Sequence, residues 1–122
     1  MPLLFSYGAL QRADVQLGTF GRLLEGGTHD HLIGYDLSDV EINDGRSAQA
    51  LSKPRYANII YSARDGSRVN GMVFEVTDAE LLAVDRHLRQ LGYKRIAEQL
   101  ASSKRMAWVY LFSLPSSNVE TA

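Results

Sequence analysis

The 122-residue chain contains no cysteine. That excludes disulfide staples, thiolate metal sites and a cysteine nucleophile together, and it fits a reducing compartment. An excess of charge of one sign is also missing. Thirteen basic and 14 acidic residues leave a net charge of −1, so composition gives no electrostatic footprint for nucleic acid or an anionic membrane surface. No segment approaches the length of a membrane span. The N-terminal Met1-Pro2-Leu3-Leu4-Phe5 is apolar but lacks the basic lead and long apolar run of a signal peptide. A cytoplasmic location is expected. Internal repeats, low-complexity tracts and linkers are absent too, and the length suits one domain. That domain is expected over residues 1–115, followed by a patternless, disordered tail over 116–122.

What remains is an ordinary globular balance, with 45% hydrophobic and 22% charged residues, enough for a core at this length. Leu3 to Tyr7 reads as a short buried strand running into the turn Gly8-Ala9-Leu10. A strand end opening on glycine presents backbone N–H groups that suit an anionic group. Asp14 is placed to cap a short helix through Val15, Leu17 and Phe20, closed by Gly21. Thr28 to Ile42 reads as extended, with kinks at Gly34 and Asp36. Asn43 to Pro54 is polar and turn-rich and reads as a surface loop. Strands are expected over Tyr56–Ser62 and Val69–Val76, joined by a turn at Asp65-Gly66, with Met72, Phe74 and Val76 on one face.

Thr77-Asp78-Ala79-Glu80 is a capping box. The helix it opens runs to about Gln90, buries Leu81, Val84, Leu88 and Leu91, and ends at Gly92. Two strands, Tyr93–Leu100 and Arg105–Leu114, follow as a hairpin across Ala101-Ser102-Ser103-Lys104. This order gives an α+β fold with a mostly antiparallel sheet, and the glycines at 26, 27, 34 and 71 would let the sheet curve partly into a barrel.

Few residues carry chemistry on their own. His29 and His31 share a strand face but lack a third ligand at recognisable spacing, so no metal is expected. Ser6 lies in no Gly-x-Ser-x-Gly elbow. Glu75 alternates away from Phe74 and reads as structural. Arg86, Arg89, Lys94 and Arg95 form a basic cluster that a solvated helix end explains. An anionic partner stays open there, without the interleaved aromatics that nucleic acid calls for.

Four motifs stand in a telling order: Leu4-Phe5-Ser6-Tyr7-Gly8-Ala9-Leu10, then Gly71 through Leu81, then Val84-Asp85 with Tyr93-Lys94-Arg95, then Ala107-Trp108-Val109-Tyr110. Together they resemble the γ-glutamylcyclotransferase-like family, including its avirulence-induced-gene type, over about residues 3–112. The resemblance implies a small mixed, mostly antiparallel β-barrel with flanking helices and no cofactor. It implies release of 5-oxoproline from small γ-glutamyl amines or peptides. Tyr7, Gly8, Ala9 and Leu10 would hold the γ-glutamyl group through backbone groups, with Tyr93 and Tyr110 as further substrate-binding residues. A helix glutamate would deprotonate the α-amine, which then attacks its own side-chain carbonyl; such a tethered reaction needs mainly orientation and one proton transfer.

The glutamate is where the chain departs. It is expected three residues after Asp85, and that position holds Leu88. Periodicity makes Leu88 a core residue. Asp85, one turn away, is a weak substitute base, since aspartate there more often accepts a structural hydrogen bond. His87 suits proton transfer as a residue type but projects about 100° away from position 88, toward solvent. Two functions stay open: a family-type enzyme with a relocated base or altered chemistry, and a non-catalytic relative. The latter keeps the pocket for a small γ-glutamyl or other carboxylate-bearing ligand, or for a protein partner. Neither nucleic acid nor membrane is expected.

Overall fold

The computed structural model describes residues 1–41 and 55–112. The polar segment Asn43 to Pro54 and the tail over 116–122 lie outside the described residues. Strand β1 (Leu3–Ser6) leads into a single 3-10 turn (Ala9–Gln11) and helix α1 (Ala13–Phe20). Strands β2 (Thr28–Ile33), β3 (Tyr35–Glu41), β4 (Arg55–Tyr61) and β5 (Arg68–Glu75) follow. Helix α2 (Asp78–Leu91) precedes the hairpin of β6 (Tyr93–Gln99) and β7 (Met106–Phe112). No helix among the described residues is long and apolar enough to cross a membrane.

The main sheet has five strands in the order β2-β5-β1-β7-β6. Every pairing is antiparallel except that of β1 with β7, where Leu4 lies beside Trp108. The first strand is therefore the central one. Leu4 and Phe5 are buried on opposite faces, each within its own apolar cluster. Leu4 packs with Phe74, Val76, Leu81 and Val84 under α2. Phe5 packs with Val73, Val109 and Ile59 on the other side. A strand covered on both faces reads as an apolar run rather than an alternation. The same holds for β5, so the expected single buried face of Met72, Phe74 and Val76 is only half of it: Val69 and Val73 bury the other.

The described strands do not close into a barrel. β3 and β4 pair only with each other, from Tyr35↔Tyr61 to Glu41↔Arg55. Gly34, with φ +90°, breaks the extended segment and swings β3 out of the main sheet. The ribbon rejoins the sheet through a side chain. Asn58 Nδ2 donates to the Phe112 carbonyl at 3.1 Å, and the Phe112 N–H donates to Asn58 Oδ1 at 2.9 Å.

Local signals hold well at α2. Thr77 accepts from the Glu80 N–H while Glu80 accepts from the Thr77 N–H, and Gly92 closes the helix with φ +105°. In α1 the expected cap is displaced. Arg12 occupies the N-cap position, and Asp14 lies inside the first turn, paired with the Arg12 guanidinium at 2.7 Å. A first-turn acid is favourable at that end without capping it.

Candidate functional site

β1 delivers Ser6 to the edge of the sheet, and the chain turns at Gly8. Ser6 is buried and its Oγ accepts from the Gly8 N–H at 3.3 Å, which fixes the start of the loop. The hydrogen bonds of the 3-10 turn begin with Gln11 N–H on the Gly8 carbonyl and Arg12 N–H on the Ala9 carbonyl. The N–H groups of Ala9 and Leu10 thus precede the turn's own ladder, as first N–H groups of a helical turn do. Opposite the loop stands β4. A Cβ on Gly8 would come within 3.1 Å of the Ala57 Cβ, so this close approach suits glycine.

Loop, β4, α1 and α2 enclose a cavity of about 170 Å³. α2 contributes Val84, Leu88 and Leu91, and α1 contributes Val15 and Thr19. Tyr7, Tyr56, Tyr93 and Tyr110 supply the aromatic walls. The structure therefore brings Tyr7, Gly8, Ala9, Leu10, Tyr93, Tyr110 and Leu88 around one space.

The hydroxyls of Tyr7, Tyr93 and Tyr110 are engaged with the protein. Tyr7 donates to the Tyr110 carbonyl at 2.5 Å, Tyr93 to the Ala57 carbonyl at 2.6 Å, and Tyr110 to Asp85 Oδ1 at 2.6 Å. Burial, with Tyr93 nearby, pushes the Tyr7 phenol far above its ordinary value. Burial, with Tyr56 nearby, takes Tyr93 up to about 12. Tyr110 rises further, through burial and its hydrogen bond to the Asp85 carboxylate. All three stay neutral at physiological pH. They shape the cavity and cannot serve as bases there.

Asp85 does not line this cavity. Its carboxylate turns toward β6 and β7, where it accepts from Tyr110 and meets Arg95 Nη2 at 3.3 Å. The Arg95 guanidinium in turn sits 4.3 Å over the Trp108 ring. Among the described residues no Asp or Glu lines the cavity, and the residue at the expected glutamate position is the carbon side chain of Leu88. His87 is exposed, as its helical angle implies, yet it stands at the cavity wall. Ala57 and Tyr56 of β4, with Val15 and Thr19 of α1, were not legible as site residues. They reach the loop only through long-range packing, and no local pattern marks them.

Comparison with known proteins settles the lineage. The family model for "Gamma-glutamyl cyclotransferase, AIG2-like" matches residues 4–121. The chain belongs to that family.

No curated protein matches it by sequence at a significant level. Among solved structures it is similar to a protein titled "Gamma-glutamyl cyclotransferase", with 18% identity and a TM-score of 0.66 over 92% of this chain and 66% of the other. An uncharacterised protein from Homo sapiens gives 20% identity and a TM-score of 0.68, with the same coverages. A protein from Arabidopsis thaliana gives 23% identity and a TM-score of 0.66 over 94% of this chain and 72% of the other. The chain thus spans 66% of the length of the first two. At such identities the likeness is one of fold. It places this cyclotransferase-like chain among α+β proteins with the architecture described above.

Proposed function

We propose that this cyclotransferase-like chain binds a small γ-glutamyl compound, or another carboxylate-bearing ligand, in the cavity beside Gly8. On this reading it does not release 5-oxoproline by the carboxylate-base route that resemblance to the family implies. One observation carries the proposal: no Asp or Glu among the described residues lines the cavity, and Leu88 stands where the base is expected. A leucine cannot accept a proton, and the neighbouring Asp85 is held by Tyr110 of β7 and Arg95 of β6. The loop at Tyr7 to Leu10 supports binding on separate grounds. Its N–H groups suit a carboxylate or carbonyl oxygen, and the apolar walls suit a short methylene chain. A cytoplasmic setting is part of the proposal, resting on the cysteine-free composition.

A second reading has one observation in its favour. His87 borders the cavity, and histidine is the side chain best suited to proton transfer near neutral pH. Turnover with His87 in the base's place would keep the tethered attack of the α-amine while moving the proton to an imidazole.

A single set of measurements separates the two. 5-Oxoproline release from γ-glutamyl amines is followed for the wild type, His87→Ala and Leu88→Glu, with binding of the same amines measured by calorimetry. Binding without release in the wild type, and release in Leu88→Glu, is the expected result. Release by the wild type that disappears in His87→Ala would overturn the non-catalytic reading in favour of the second. Absence of any binding would remove both.

A further inference from the structure

Where α2 meets β6 and β7 the described residues form a second cleft, of about 230 Å³. It shares only the rings of Tyr93 and Tyr110 with the first cavity. Three cations line it: Arg89 from the last turn of α2, and Lys94 and Arg95 from the start of β6. Gly92 turns the chain back sharply between them, so one concave surface collects positive charge from two elements.

The three cations are not equivalent. Arg95 is fixed in place, by the Asp85 carboxylate on one side and the face of Trp108 on the other. Its side chain retains 25% exposure. Asp85, the single acid of the cleft among the described residues, is already satisfied, since it accepts from the Tyr110 hydroxyl and pairs with Arg95. Arg89 and Lys94 carry no ion pair or side-chain hydrogen bond among the described residues. The charges of Arg95 and Arg89 both reach the Tyr110 hydroxyl at the floor of the cleft, where they oppose the rise in its pKa. A helix C-terminus accounts for one cation in this neighbourhood. With Asp85 already paired to Arg95, it does not account for two further cations around a concave space, where like charges repel unless an anion joins them. Guanidinium and ammonium groups converging on such a space match the oxygens of a carboxylate or phosphate.

We propose that this cleft is an anion site, taking a carboxylate or phosphate group between Arg89, Lys94 and the immobilised Arg95. None of the site's three cations lines the first cavity, so it stands apart from the ligand assigned there.

Trp108 is the only tryptophan of the chain, so its fluorescence reports directly on the cleft. The full chain is titrated with sodium phosphate and, separately, with sodium succinate, each against sodium chloride at matched ionic strength. A saturable change in Trp108 emission with at least one of them is expected, and the comparison tells which oxyanion the cleft prefers. In Arg89→Gln/Lys94→Gln the apparent affinity should fall at least about tenfold, because two charge-assisted contacts are lost. Arg68→Gln and Arg86→Gln, which remove exposed cations outside the cleft, should leave it within about twofold. Arg89 and Lys94 are exposed, and circular dichroism checks that the variant folds. Emission that follows ionic strength alone overturns the proposal, as does a double variant that binds like the wild type.

Discussion

Asn58 carries more of this structure than its residue type suggests. Asparagine is depleted in strands, yet here it is buried within β4, with 2% of its surface exposed. Its side-chain amide reproduces the pairing of a neighbouring strand, one donor and one acceptor against the backbone of Phe112. Replacing it by alanine leaves both groups of Phe112 without partners. The expected cost is about 2–4 kcal/mol, read as a lower urea midpoint with an unchanged slope. An unchanged midpoint would mean that the ribbon is held instead by apolar packing and by the Tyr93 and Tyr35 hydroxyls, which donate to Ala57 and Glu98. The sequence contained a hint in the form of an asparagine where strands avoid it, but no means of naming Phe112, 54 residues away. Leu88 and Asp85 divide the same way. The resemblance in motif order marks Leu88 as the position where a glutamate is expected. That Asp85 is bound by Tyr110 and Arg95 depends on β6 and β7 folding back under α2, and local spacing does not reveal that.

Among the elements, α2 was the most legible, because its determinants are local: a capping box, an apolar stripe and a terminal glycine. Thr77→Ala removes the side-chain acceptor of the Glu80 N–H. It should cost about 1 kcal/mol, a fall of roughly 3–6 °C in Tm for a domain of this size. What the local pattern omits is the second partner of Glu80. The Arg22 guanidinium, at 2.7 Å, holds the Glu80 carboxyl down at about 2, against an ordinary 4.5. Asp30 of β2 behaves alike for another reason. Burial pushes its carboxyl up, but N–H groups of Ser102, His31 and Ser103 outweigh that and take it to about 2, against 3.8. Asp30 thereby ties the tip of the β6–β7 hairpin to β2. Both native carboxyls are depressed, so the stability they contribute is fully present above their unfolded values and lost as pH falls through the folded ones. Tm should therefore decline steadily from about pH 4.5 to pH 2 when followed by circular dichroism. Asp30→Asn should start lower at pH 7 and show a shallower decline. Parallel profiles for the two proteins would show that Asp30 does not contribute to the acid transition.

For the whole molecule, the order of motifs along the chain pointed to the α+β fold correctly, because the four motifs fall on β1, β5, α2, β6 and β7 in chain order. Barrel closure was not legible, because it depends on which strand edges meet. Gly34 sends β3 and β4 off as a ribbon, and a side chain rather than a ladder brings them back. Ile59 of that ribbon is nonetheless buried against Phe5 and Val109 of the main sheet. Sheet and ribbon should therefore unfold together. Denaturation followed by Trp108 emission and by far-ultraviolet circular dichroism is expected to give coincident curves. Separate curves would reveal a ribbon that melts on its own. The loop after β1 has a consequence for how such a protein can change over generations. Its N–H groups belong to the main chain, which substitution leaves in place unless proline enters, whereas proton transfer depends on one replaceable side chain. On the proposed reading, grip and chemistry are inherited separately: a binding loop made of main chain outlasts the exchange of a single proton-accepting side chain for leucine.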